Sequence, residues 1–130
     1  MTKRTVVLLA VLLNVSLHAS AARGDNASAV DELKAGYALK AAGNCKEAVG
    51  HFARSVQLAE APKSLLNLAD CEQRLGDLVA AHQHAARGQA LALERHDAEL
   101  VPVAATLVAT IDTKLPRVTI TLGAVAPCPS

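Results

Sequence analysis

The feature that most constrains this chain is a self-match at a shift of 33 residues. The shift lays Gly43-Asn44 on Gly76-Asp77, Gly36 on Ala69, Ala48 on Ala81, Phe52 on Ala85 and Leu58-Ala59 on Leu91-Ala92. The better-defined copy is Leu65 to Ala81, where Leu65, Leu68, Ala69, Cys71 and Leu75 recur at helical spacing. Gly76 suits the left-handed position that ends a helix, and Asp77 suits the cap of the next. The reading is therefore helix, tight turn, helix, written twice. One such pair cannot bury both of its faces, so it needs a stacked neighbour.

Capping and period place five helices. The first is expected over 29–42, capped by Ser28 with Asp31 three residues on, with Val30, Leu33, Tyr37 and Ala41 along one face. The second is expected over 45–60, capped by Asn44 with Glu47, with Ala48, Val49, Phe52, Val56 and Ala59 as its stripe and Lys46, Arg54 and Gln57 solvated. Pro62 fits the first turn of the third, which ends at Leu75. The fourth runs from about Leu78 to Leu93 or a little beyond. The fifth follows Asp97, with Leu100, Val103-Ala104, Leu107, Ile111 and Leu115 as its stripe and Pro102 near its start. This last helix is expected to pack on the third and fourth and to cover the open face. Hydrophobic residues make up 52% of the chain but aromatics only 2%. Such a core is made of Ala, Leu and Val, which suits closely approaching helices. The same shortage argues against modules that stack nucleic-acid bases on aromatic rings, and a net charge of +1 gives no footprint for a polyanion.

The period, the glycine corners and the small residues Gly36, Ala48, Ala69 and Ala81 resemble the tetratricopeptide repeat over residues 29–95. The chain departs from that pattern in having no Trp at the start of either copy and Ala85 where an aromatic is usual. The resemblance implies an all-α domain over 29–115, a right-handed stack of two antiparallel helix pairs plus a capping helix. In such stacks the first helix of each pair lines a concave surface for peptides. Aligning Gly36 with Ala69 puts Tyr37, Lys40, Lys63, Asn67, Asp70 and Arg74 near that surface. Lys63, Asn67 and Arg74 then have the chemistry to hold a carboxylate or backbone carbonyls. A stack this short offers only a shallow groove.

The termini read differently. Residues 1–22 have the form of an export signal: Lys3-Arg4, an apolar run from Val6 to Leu17, then Ala19-Ser20-Ala21. The run is short for a membrane span. Losing Lys3 and Arg4 turns the +1 balance into about −1. Residues 23–28 are expected to be a flexible lead-in. After Pro116 ends the helices, Arg117 to Leu122 changes to a period of two, with Val118, Ile120 and Leu122 on one side, which predicts a strand. A single strand has two open edges and suits addition to a partner's sheet. The tail to Ser130 has no core-forming pattern.

The signal, Leu65-to-Cys71, Leu75-Gly76-Asp77 and Lys114-to-Ile120 together resemble a group of exported bacterial proteins in which a short tetratricopeptide-like unit precedes a small β-domain. That resemblance implies export to the periplasm or beyond, and, since the β-domain breaks off after its first strand, either a shortened member or an incomplete gene model.

Little in the chain suggests catalysis. Ser55, Ser64, Thr106, Thr110 and Thr113 lie in expected helices without a nucleophile elbow. Gly43-Asn44-Cys45-Lys46 lacks phosphate-loop spacing. Asp70 and Glu72 are two apart and diverge on a helix, so both are expected to be solvated. His51, His82, His84 and His96 have no metal-ligand spacing. No cofactor or metal is implied. Export permits a disulfide between Cys45 and Cys71, and the alternative is two small buried thiols that never pair. Cys128, between prolines in the tail, is expected to be an exposed thiol or an intermolecular link. The expected function is a non-enzymatic protein–protein interaction or scaffold module of the cell envelope. The alternative is a sensor or accessory domain whose β-domain lies outside this chain.

Overall fold

A computed structural model of the chain describes residues 24–117, and these form five helices and no strand. Among the described residues helix α1 covers 24–41, α2 Cys45–Leu58, α3 Pro62–Leu75, α4 Leu78–Glu94 and α5 Leu100–Lys114. The signal over 1–22, the strand positions 118–122 and Cys128 lie outside the described residues.

Three corners share one hydrogen-bond pattern. At the first, the Gly43 N–H bonds the Lys40 carbonyl at 3.0 Å and the Asn44 N–H bonds the Leu39 carbonyl at 2.9 Å. At the second, Gly76 bonds Gln73 and Asp77 bonds Glu72. At the third, His96 bonds Leu93 and Asp97 bonds Ala92. This double bond satisfies carbonyls that a helix end leaves open, and it needs a left-handed residue at the corner. Gly43 and Gly76 take it at φ 79° and 89°, and His96 takes it at 54°. The residue after the corner caps the next helix in the first two cases, Asn44 accepting from the Glu47 N–H and Asp77 from Ala80, while Asp97 accepts from the Leu100 N–H in the turn that leads into α5, whose N-cap residue is Glu99. The third corner is invisible to the 33-residue match because it lies 20 residues after Gly76, between successive helix pairs rather than inside one.

Each helix packs on the one before it, and α3 also touches α5. Side-chain pairs join α1 to α3 in the same chain direction, Tyr37 to Asn67 and Lys40 to Asp70. Lys114 reaches Gln73 in the same sense between α5 and α3. So α1, α3 and α5 run side by side, with α2 and α4 packed behind the two seams.

The core has two centres. Around the first seam, Cys45, Ala48, Phe52, Leu68 and Cys71 pack together, backed by Leu33, Leu39 and Val56. Around the second, Ala69, Ala81 and Ala85 surround Ile111 of α5. Phe52 fills the notch left by Gly36, where a Cβ would stand 2.5 Å from the ring. Ala85, at the equivalent place one repeat on, leaves room that Ile111 occupies. An aromatic is therefore not needed there.

Several expectations are corrected. Residues 24–28 are helical rather than a flexible lead-in, so Ser28 lies inside α1 and caps nothing. Ala29 is buried and its carbonyl accepts from Ser55 Oγ at 2.8 Å, an anchor that holds this stretch in place. The inward face of α1 is Ala29, Leu33, Gly36 and Lys40. Val30 and Tyr37 are 48% and 40% exposed. Only glycine permits the approach to Phe52, and that contact sets the rotation of the helix. Helix α2 ends at Leu58 rather than 60, because Ala59 is extended.

Candidate functional site

The open side of α1, α3 and α5 holds a groove of about 260 Å³ lined by Tyr37, Lys40, Lys63, Leu66, Asn67, Asp70, Leu100, Val103 and Leu107. Five of the six residues singled out in the sequence line it. The sixth, Arg74, lies one turn beyond and holds the Asp70 carboxylate at 3.1 Å.

The floor is a hydrogen-bonded plate. Asn67 Nδ2 donates to Tyr37 Oη at 3.1 Å and to the Lys63 carbonyl at 2.8 Å, while its Oδ1 accepts from Lys40 Nζ at 2.8 Å. Lys40 Nζ also meets Asp70 Oδ2 at 2.7 Å, and Gln73 donates to Asp70 Oδ1 at 3.0 Å. Both amide protons of Asn67 are thus engaged within the protein. Asn67 holds the plate together and is not free to take a ligand's carbonyl. Tyr37 is further held edge-on against Phe52, with ring centroids 5.8 Å apart.

Asp70 is held below the usual carboxylate range. Burial works against its charge and is the largest single effect. The hydrogen bonds from Lys40 and Gln73, with the charges of Lys40 and Arg74, together outweigh it. The carboxylate that organises the plate therefore stays ionised at neutral pH. What the groove offers outward is donors: the Tyr37 hydroxyl proton, the remaining N–H of Lys40 and the Lys63 ammonium, which has no partner among the described residues. Opposite them stands an apolar wall. Leu100, Val103 and Leu107 belong to a stripe visible in the sequence, but their pairing with the polar plate depends on where α5 docks.

Neither Asp70 nor Glu72 is solvated as expected: the Asp70 side chain is only 19% exposed and held by Lys40, and Glu72 is more deeply placed. It is 8% exposed and takes His84 Nδ1 at 2.8 Å. Burial raises its pKa, only partly offset by the bond and charge of His84. His51 pairs with Glu32 and His82 with Asp112, so each histidine joins two helices. No group of three or more His, Cys, Asp or Glu residues among those described converges on a metal-sized space.

Ser55 and Ser64 are buried and bonded to each other at 2.8 Å. Ser55 gives its proton to the Ala29 carbonyl, so Ser64 donates to Ser55. This knits α1, α2 and α3 and leaves neither hydroxyl with a base. Cys45 and Cys71 form a disulfide, with Cα atoms 5.1 Å apart, between the first turn of α2 and the middle of α3. No described helix is long and apolar enough to cross a membrane. Compared with known protein families, curated proteins and solved structures, the chain matches none.

Proposed function

We propose that this chain is a non-enzymatic binding module of the cell envelope, with the groove between α1, α3 and α5 as its recognition surface. The observation that carries the reading is the pairing of an outward-facing set of donors with an apolar wall across one groove. Two lysines against one aspartate make the groove positive. Its ligand supplies acceptors, a carboxylate or a run of carbonyls, and lays an apolar side chain on Leu100, Val103 and Leu107. Support for a repeat stack of the tetratricopeptide kind comes from the like burial of matched positions, Ala48 with Ala81 and Phe52 with Ala85. Support for an oxidising destination comes from the disulfide, alongside the export-signal pattern at the N-terminus.

The test is selection from a library of short peptides with free C-termini, followed by calorimetry on the purified chain. Enriched peptides are expected to combine an acidic or terminal carboxylate with an apolar residue. Lys63→Glu and Val103→Glu are each expected to weaken them by about tenfold, the equivalent of 1.4 kcal/mol. Binding that ignores both substitutions rules the groove out.

A further inference from the structure

A second cavity, of about 270 Å³, lies where the first half of α1 meets the corner between α2 and α3. Its walls are Ala29, Val30, Leu33, Ala59 and Ala61, and its floor is the Ser55–Ser64 pair. Both serine protons are engaged within the protein, so the floor holds out no donor. Such a recess suits an apolar side chain. Its rim is cationic. Glu60 stands there, but Arg87 grips that carboxylate with two N–H groups, at 2.9 and 2.7 Å. Arg95 gives one N–H to the Glu60 carbonyl at 2.9 Å and has no carboxylate partner among the described residues. Its other N–H groups are open to an acceptor.

This cavity and the groove follow one face of α1. Asn26, Ala29, Val30 and Leu33 line the cavity from that helix, and Tyr37 and Lys40 line the groove. At 3.6 residues per turn these six fall within one arc of about 100°. Leu33 of the cavity is one turn from Tyr37 of the groove, and Ser64 of the cavity adjoins Lys63 of the groove. The two centres are about nine residues apart along α1, roughly 14 Å at 1.5 Å per residue. In an extended peptide, residues i and i+4 point the same way and stand about 13 Å apart. Both recesses are apolar with a cation beside them, Arg95 at one and Lys63 with Lys40 at the other.

We propose that cavity and groove form one track, and that its ligand is an extended acidic peptide with two apolar side chains four residues apart. One side chain fills the cavity against Val30 and Leu33. The other lies on Leu100, Val103 and Leu107. A carboxylate next to the first meets Arg95, and one next to the second meets Lys63 and Lys40. This rests on the groove being the recognition surface, and it adds the length, register and charge of what the surface takes.

Calorimetry with two synthetic probes tests this, on the chain as isolated from an exporting host. The long probe is Asp-Leu-Ser-Ser-Ser-Leu-Asp and the half probe is Ser-Leu-Asp, both capped at each end. The long probe is expected to bind at least about tenfold tighter. Removing one serine from it turns the leucines to opposite sides and is expected to abolish that gain. Arg95→Glu is expected to weaken the long probe by at least about tenfold and to leave the half probe unchanged. Val30→Glu, at an exposed position that makes none of the Arg95 contacts, is expected to do the same with unchanged helical circular dichroism. Lys63→Glu is expected to weaken both probes. A half probe that responds to Lys63→Glu, with no gain from the longer one, overturns the track and leaves the groove standing. A long probe indifferent to both Arg95→Glu and Val30→Glu, or to the lost serine, has the same meaning. Failure of both probes to bind overturns the track and the groove together.

Discussion

Gly36 and Gly50 are both helical glycines, and their surroundings give them opposite roles. A Cβ at Gly36 runs into the Phe52 ring, whereas one at Gly50 meets nothing within 4 Å. Gly36→Ala is therefore expected to lose about 1–2 kcal/mol, overpacking outweighing the gain in helix propensity. Gly50→Ala is expected to gain up to about 1 kcal/mol. Urea unfolding of the two variants decides the point. Glu72 makes a pH-dependent contrast with Asp70. A carboxyl whose folded pKa is raised contributes its stability below the ordinary value of 4.5 and loses it as pH climbs through the folded value. Asp70, held low, contributes above its ordinary 3.8 and loses that contribution on acidification. Glu72→Gln is thus expected to match the parent near pH 4 and to become progressively the more stable above 4.5, in a denaturation series over pH. The sequence marked Gly36 as a small residue at a crossing. It did not show that Glu72 is buried, because a carboxylate on a helix reads as solvated until the neighbouring His84 is in place.

At the scale of elements, the corners and the crosslink decide how helices meet. His96 holds a left-handed backbone without being glycine, which costs on the order of 1 kcal/mol. His96→Gly is expected to recover about that much in thermal or chemical unfolding, while His96→Ala is expected to change little. The disulfide closes a loop with a sequence separation of 26. By loop entropy, replacing both Cys45 and Cys71 with Ser is expected to cost about 3.5 kcal/mol. Thiol titration of the exported, denatured protein is expected to find one free thiol; three would remove the bridge. Helix boundaries were legible to within a few residues wherever a cap or proline marks them, as at Asn44, Pro62 and Asp77. The helical state of residues 24–28 was not, because the anchor beside them is a buried serine 26 residues away from Ala29.

At the scale of the whole molecule, stability is graded along the stack. Helix α3 is covered on several sides, whereas α5 is held through Ala104 and Ile111 and by partly buried neighbours. Terminal elements of a stack open first. Ile111→Ala is expected to cost about 2–4 kcal/mol. It is also expected to accelerate amide exchange in α5 well before α3, a gradient that exchange mass spectrometry reads directly. The groove depends on the same docking, since its apolar wall is α5 itself.

The sequence alone determined the helices, their glycine corners and the small residues at crossings, because caps, turn residues and period act within a few residues of chain. It also nominated five of the groove's polar and aromatic residues through the repeat match. Tertiary structure decided the rotation of α1, the burial of Glu72, the internal engagement of Asn67 and the meeting of the lysines with Leu100, Val103 and Leu107. Each of those depends on contacts between helices far apart in the chain. Such contacts are fixed by which side chains fit one another, as Phe52 fits Gly36 and Ile111 fits Ala85, and no local pattern encodes that fit.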